Sequence, residues 1–118
     1  MNSHQQELDT PWGRWEVLLE AADCKVKRII VGSGQRLSYQ KHFKRQETWV
    51  VVNGVATVTI NGIISEYHPG QVVQIPLEAA HRVANTGTNP LIFIEVQRGT
   101  YFGEDDIVRL EDDYGRAK

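Results

Sequence analysis

The chain has 118 residues, of which 41% are hydrophobic and 24% charged, a length and balance typical of one folded domain with a buried core. Its formal net charge of −2 excludes a general electrostatic attraction to nucleic acid or to membrane surfaces, so we expect neither as a partner. The single cysteine, Cys24, cannot form an internal disulfide, and the polar N-terminus has no apolar signal segment; both features predict a cytoplasmic protein.

Short strands separated by turn signals follow one another along the chain. Residues 14–20 and 25–31 alternate apolar and polar side chains, as half-buried strands do. The later apolar runs are 48–52, 56–60, 63–67, 71–75, 81–85 and 91–97. The pair Asn61-Gly62 between two of these runs is a strong signal for a two-residue hairpin. This spacing, without a long helical pattern, predicts an antiparallel all-β sandwich or barrel.

The C-terminal stretch GEDDIVRLEDDYGR has a different pattern. Ile107, Leu110 and Tyr114 are spaced as on one face of a helix, which predicts a short C-terminal helix. Its acidic first turn would lie at the positive end of the helix, and Gly115 would stop it. Because the sequence has no internal repeat and no linker, we expect a single domain over residues 1–118, with its core at about 11–116.

Polar side chains that can bind a ligand or take part in catalysis occupy alternate positions of the segment LSYQKHFKRQETWVVVNG. Gln40, His42 and Lys44 are two apart, so in one continuous strand they would point to the same side. Burying such groups without partners costs about 1–3 kcal/mol each, which a bound ion or polar ligand inside a barrel would offset. Glu47 can join them from the next strand, and His81 lies further along the chain.

Two spaced patterns in this region carry a resemblance to a known family. The first cupin motif is matched by Gly34, His42, Lys44, Glu47 and Gly54, with lysine in place of the second histidine. The second cupin motif is matched by Gly70, Pro76, His81 and Asn85, with Glu78 at a position that is usually glycine. The chain therefore resembles the cupins, which implies a double-stranded β-helix barrel with His42 and His81 pointing inward at close range.

A closer resemblance extends over nearly all of residues 11–116. The stretches PWGRWEVL, WVVVNGVATVT, IPLEAAHR and IEVQRGTYFGEDDIVRLEDDYGR resemble, in order, the type II mannose-6-phosphate isomerase domain. That domain also occurs fused behind mannose-1-phosphate guanylyltransferase. The family usually has histidines at the places of Phe43, Lys44 and Thr48, and this chain has none of the three.

The resemblance implies a bound divalent metal ion, which could be Zn, Mn, Fe or Ni. The pattern Gln40-Lys41-His42 also resembles the zinc-ligand pair of the larger type I mannose-6-phosphate isomerases. The candidate ligands are then Gln40, His42, Glu47 and His81. Lys44 cannot ligate while charged. It could turn outward, act as a base, bind a substrate phosphate or replace the charge of the metal.

Two functions from different classes follow from the resemblance. The first is the interconversion of mannose 6-phosphate and fructose 6-phosphate, with the metal as Lewis acid, Glu47 or Lys44 as base, and Arg109 binding the phosphate. The second is a non-catalytic module that binds a sugar phosphate or a nucleotide sugar, which the missing histidines favour. We also expect a homodimer, with the alternating run 14–20 as the strand that pairs across the interface.

Overall fold

The computed structural model describes residues 6–116, and these residues form two antiparallel β-sheets. The strands in chain order are β1 (Glu7–Thr10), β2 (Gly13–Glu20), β3 (Cys24–Val31), β4 (Tyr39–His42), β5 (Arg45–Asn53), β6 (Ala56–Ile60), β7 (Ile63–Tyr67), β8 (Val72–Ile75), β9 (His81–Ala84), β10 (Leu91–Gly99) and β11 (Ile107–Glu111). One sheet has the order β1-β2-β3-β10-β5-β8 and the other β11-β4-β9-β6-β7. The all-β prediction is confirmed.

Turn chemistry explains the hairpin between β6 and β7. Asn61 and Gly62 both have positive φ angles, 48° and 83°, and Ile60 pairs directly with Ile63 across the turn. Asparagine and glycine are the residues that adopt this conformation most readily, so the predicted hairpin is confirmed.

The inward-facing side chains of the larger sheet change from apolar to polar along its strands. At one end, Leu91 lies opposite Val31, and Phe93 lies opposite Val51; all four side chains are buried. Towards the other end the inward positions become Lys25 and Lys27 on β3, Glu95 and Gln97 on β10, and Arg45 and Glu47 on β5. The interior therefore has an apolar half, which holds the sheets together, and a polar half.

The predicted C-terminal helix is wrong. Residues Glu104–Asp106 form a single 3₁₀ turn, and the chain then continues as β11, which pairs with β4. Ile107 and Arg109 face inward, whereas Val108 and Leu110 are exposed, so the actual period is two. The free edge of β4 offers hydrogen bonds to the backbone of this segment, and that long-range pairing overrides the helical spacing.

The expected interface strand also has partners within the chain. The run 14–20 forms β2, which pairs with β1 on one side and with β3 on the other. The ladder with β1 covers residues 13–16 of this strand, so the interface role of the run 14–20 stays a prediction. Within residues 6–116, the structure has no helix long and apolar enough to cross a membrane.

Gly99 at the end of β10 is required by a close backbone contact. It pairs with Arg45, and a Cβ atom at this position would collide with the carbonyl oxygen of Lys44 and lie 2.7 Å from the Cα of Arg45. We predict that Gly99→Ala lowers the unfolding free energy by about 1–3 kcal/mol, because the backbone must shift to accept the methyl group.

Urea denaturation measures this effect, and Gly32→Ala is the matched control. A Cβ atom on Gly32 would meet only atoms at 3.5 Å and 3.6 Å, which is ordinary van der Waals contact. Equal unfolding free energies for the two variants would contradict the prediction.

Candidate functional site

A cavity of about 200 Å³ lies in the polar half of the interior and is lined by side chains from both sheets. Its charged lining consists of five cationic side chains, Lys27, Arg45, Arg82, Arg109 and Arg116, and three acidic ones, Glu47, Glu95 and Glu104. A surplus of positive charge inside a partly enclosed space favours an anionic ligand.

Three of the residues expected from the sequence meet in this cavity. His42 ends β4, Glu47 lies on β5 and His81 begins β9, and all three are buried. One potential ligand atom from each lies within 4.8 Å of the other two, and the imidazole centroids are 5.1 Å apart. Gln40, which is paired in register with His81, also lines the cavity, and its amide nitrogen donates to the Ser38 hydroxyl at 3.0 Å. Their role as metal ligands stays a prediction.

Lys44 does not lie on the interior face that one continuous strand would give it, and of the alternatives left open by the sequence it has the outward orientation. β4 ends at His42, and Phe43 and Lys44 form a bend before β5 begins at Arg45. The Lys44 side chain is exposed, with its ammonium 5.1 Å from the centre of the Tyr101 ring. From this position it does not line the cavity, so the geometry gives no support to the predicted roles of Lys44 as base or phosphate ligand.

Arg45 occupies the interior position that the sequence assigned to Lys44. The bend interrupts the alternation of the strand and turns Arg45 inward, where only 3% of it is exposed. Its Nη2 lies 3.0 Å from Nε2 of His42, and its Nε donates to Oε2 of Glu47 at 3.1 Å. The sequence reading missed Arg45 because it treated residues 40–44 as one uninterrupted strand; the alternation of β5 itself, counted back from Trp49 and Glu47, places Arg45 inside.

Glu47 is held as a carboxylate by this arrangement. Its second oxygen accepts a hydrogen bond from the indole nitrogen of Trp49 at 2.9 Å. Burial alone would raise the pKa of Glu47, but the Arg45 charge holds the pKa below its ordinary range. Burial and the negative charge of Glu47 raise the pKa of neighbouring Glu95. Glu95, which accepts a hydrogen bond from Gln97 at 2.6 Å, is a second buried acid that the sequence reading missed.

The donor atoms do not fit a divalent ion as they stand. A metal needs the lone pair of an imidazole nitrogen and of a carboxylate oxygen, and those of His42 and Glu47 already face a guanidinium at hydrogen-bonding distance. His81 is different, since its Nδ1 lies 2.9 Å from the carbonyl oxygen of Ala79 and must donate there. Its Nε2 therefore keeps a lone pair, and the Glu47 oxygens keep lone pairs beyond their hydrogen bonds. The obstacles to a metal are thus the engaged Nε2 of His42 and the positive charge of Arg45 beside Glu47.

Arg109 also lines the cavity, as its predicted phosphate-binding role requires. Within residues 6–116, no acidic side chain forms an ion pair with it, and its Nε is buried without a hydrogen-bond partner. Burial and the positive charge of Arg116 lower the pKa of Arg109. Arg116 itself is neutralised by Asp112, at 2.8 Å and 3.0 Å. Arg109 is thus the cationic group of this cavity that most lacks a counterion.

The two-sheet barrel and its His-Glu-His cluster define a cupin. Among solved structures, the chain is similar to a conserved protein with a double-stranded β-helix domain from Klebsiella pneumoniae, with a TM-score of 0.73 and 25% identity over 95% of this chain and 85% of that one. A cupin 2 conserved barrel domain protein from Salinispora arenicola has a TM-score of 0.65 and 22% identity over 72% of this chain and 74% of that one.

Sequence comparison identifies the family within this class. The sequence model of the family described as mannose-6-phosphate isomerase C-terminal matches residues 1–112, and the chain belongs to that family. It is 46% identical to the mannose-1-phosphate guanylyltransferase ManC of Salmonella typhimurium, over 95% of this chain and 23% of that protein. It is also 46% identical to the alginate biosynthesis protein AlgA of Pseudomonas aeruginosa, over 94% of this chain and 23% of that protein. The chain thus spans about a quarter of the length of these curated relatives.

Burial of His42 has a consequence for stability at acidic pH. Burial lowers the pKa of His42 from 6.5 to about 4, against the opposing effect of Glu47. Because the unfolded chain takes up a proton that the folded chain does not, the contribution of His42 is complete above pH 6.5 and is lost as the pH falls toward about 4. We predict that His42→Gln removes about 3 kcal/mol of the fall in unfolding free energy over this interval.

Urea denaturation at several pH values tests this pH dependence. His68→Gln, which removes an exposed imidazole outside the cavity, serves as control and keeps the wild-type pH dependence. A His42→Gln variant whose stability follows the wild-type pH curve would show that His42 does not resist protonation in the folded state.

Proposed function

We propose that this domain is a non-catalytic cupin module that binds a sugar phosphate in its interior cavity, in a protein of carbohydrate or polysaccharide biosynthesis. The observation that carries the proposal is the surplus of cationic side chains in the cavity lining, with Arg109 lacking a counterion. A cavity of about 200 Å³ is smaller than the ~300–1,000 Å³ of sites for drug-sized ligands, which favours a monosaccharide phosphate over a nucleotide sugar.

Arg109 is placed to receive the phosphate. A guanidinium presents parallel N–H donors that match two phosphate oxygens, and it stays charged at any physiological pH. A phosphate would supply the missing acceptor for its buried Nε and would relieve the repulsion between Arg109 and Arg116. The same contacts would offset the desolvation of the guanidinium, which makes this end of the cavity the natural position for an anion.

The rest of the lining suits a sugar ring. The indoles of Trp12 and Trp15 form part of the cavity wall and offer apolar faces for C–H groups. Gln40 and His81 offer hydrogen-bonding groups to hydroxyls, since the Nε2 of His81 has no hydrogen-bond partner within residues 6–116. Polar groups at fixed places in a partly enclosed cavity set the orientation of a small ligand.

The geometry gives little support to isomerisation. Proton transfer between C1 and C2 of a sugar needs a base of suitable pKa, and both oxygens of Glu47 are already engaged by Arg45 and Trp49. The three positions of the family histidines do not supply one either, because Phe43 and Lys44 are exposed and Thr48 hydrogen bonds to Gln74 on the outer face of the sheet. We therefore favour ligand binding without turnover.

Metal-assisted isomerisation of mannose 6-phosphate remains the second candidate function. Its support is the convergence of His42, Glu47 and His81 within 4.8 Å. If a divalent ion is held there, these three residues would be its ligands, with Gln40 beside them, and the ion would supply Lewis acidity. Turnover of mannose 6-phosphate in a coupled assay would favour this candidate over the first.

Binding of mannose 6-phosphate, measured by isothermal titration calorimetry, tests the proposed function. We predict that Arg109→Gln weakens binding roughly 10-fold to 100-fold, because a hydrogen bond to a charged group contributes about 1.5–3 kcal/mol. Arg98→Gln is the matched control, since Arg98 is an exposed arginine outside the cavity. Unphosphorylated mannose should bind more weakly than the phosphate. Equal affinities for the two arginine variants, or no binding of any sugar phosphate, would contradict the proposal.

We also propose that the protein is a homodimer, now through a surface other than β2. Val50 and Val72 are paired across β5 and β8 and are exposed, as is Val52, so the outer face of the larger sheet carries aliphatic side chains at its β8 edge. Light scattering at micromolar concentration should give twice the mass of the chain. Val50→Lys should reduce that mass to one chain, and Ile63→Lys, on the exposed β7 strand, should leave it unchanged.

A further inference from the structure

We propose that Arg45 is the resident cation of this cavity, standing where a cupin metal would bind, so that ligand binding by this chain is independent of metal. The second half of this inference depends on the proposed binding of a sugar phosphate; the first half depends on geometry alone. The sequence gives no direct sign of it, because a histidine pair and a glutamate at these spacings suggest a metal site.

The position of the guanidinium carries the inference. Arg45 bridges two of the three candidate ligands, with Nη2 at 3.0 Å from His42 Nε2 and Nε at 3.1 Å from Glu47 Oε2. An arginine has no lone pair to offer, so His42 Nε2 must be the acceptor and its proton resides on Nδ1. That nitrogen in turn faces Oε2 of Glu47 at 3.6 Å. The three side chains therefore form a closed network in which the positive charge is already supplied.

Arg45 cannot readily be displaced from this place. It is buried, and a carboxylate oxygen of Glu104 lies 3.6 Å from its Nη1. Its backbone packs directly against Gly99, where no side chain would fit. If the guanidinium moved out, the buried carboxylate of Glu47 would lose its main counterion. If it stayed, a bound metal ion would be repelled by the guanidinium at short range. Unlike a lysine, arginine does not lose its proton to relieve such repulsion.

The same guanidinium is equipped to act on a ligand. Its buried Nη1 has Glu104 at 3.6 Å but no hydrogen-bond partner among the residues that the structure describes, so it can still donate a hydrogen bond. An oxygen of a bound sugar would accept a hydrogen bond from this Nη1. The arginine would then take the place of a metal, which would bind the same oxygen as a ligand. Arg45 thus anchors the ring end of the ligand, while Arg109 holds its phosphate.

Metal content and cobalt titration test the inference directly. Protein purified without chelators and without an affinity tag that binds metal should contain no stoichiometric metal, and Co²⁺ should produce no visible ligand-field bands. Arg45→Met, which removes the charge and all donors, should bind Co²⁺ at least about tenfold more tightly than wild type, because it frees His42 and Glu47. The gained binding should disappear in the Arg45→Met, His42→Ala double variant.

Two control variants test whether a positive charge at position 45, inside the cavity, is what prevents cobalt binding. Arg45→Lys keeps a buried cation, but one that can lose its proton, so it should gain less cobalt binding than Arg45→Met. Lys44→Met removes the neighbouring exposed cation and should behave as wild type. If Arg45→Met does not fold, the wild-type measurements decide alone. Stoichiometric metal in the wild type that is lost in His42→Ala would overturn the inference.

The outcome is distinguishable from failure of the proposed function. Mannose 6-phosphate binding that is unchanged by a chelator supports both statements. Binding that survives alongside stoichiometric metal overturns the resident role of Arg45 and leaves sugar-phosphate binding in place. Metal-free protein that binds no sugar phosphate overturns the proposed function and leaves Arg45 as the resident cation.

Discussion

The buried ion pair between Arg45 and Glu47 is the constraint on which the cavity depends. Only 3% and 2% of these side chains are exposed, so each charge has lost its water and would be strongly unfavourable alone. Removing one partner of such a pair typically costs about 3–5 kcal/mol. The indole of Trp49 and the imidazole of His42 complete the hydrogen bonds of the pair. One carboxylate therefore fixes the positions of a guanidinium, an indole and an imidazole.

The apolar half of the barrel makes this polar half possible. From Phe93 to Gly99, β10 keeps one register with β5, and it also keeps one register with β3, so along this part every inward position is two residues from the next. A slip of one residue on β5 would turn Glu47 outward and bring Thr48 inside, and it would also replace Trp49 in the core with the smaller Val50. Because that apolar loss is large, the packing of Trp49 against Phe93, with ring centroids 4.7 Å apart, keeps Arg45 and Glu47 on the interior face. The charges are placed by the hydrophobic pattern, not by their own attraction.

The strands and part of the site could be predicted from the sequence because both depend on local patterns. Alternation predicted the strands, Asn61-Gly62 predicted its hairpin, and the cupin spacings predicted that His42 and His81 meet. The prediction failed at the bend before β5 and at β11, and both failures share one long-range cause. The carboxylate of Asp106 accepts hydrogen bonds from the backbone amides of Phe43 and Lys44 at 3.3 Å and 2.9 Å, more than sixty residues away. No window of local sequence contains both partners.

The C-terminal segment consequently belongs to the cavity as much as to the fold. It pairs with the edge of β4. Its end is fixed by an ion pair between Arg36 and Asp113 and by a hydrogen bond from the Tyr114 hydroxyl to Gln35. The same segment places Arg109 in the cavity lining and a carboxylate oxygen of Glu104 2.7 Å from the Nζ of Lys27. A ligand held by Arg109 must therefore also stabilise the docked segment, since binding to the folded state alone raises stability by mass action. A barrel needs no such strand to close, whereas a cavity that positions this arginine does.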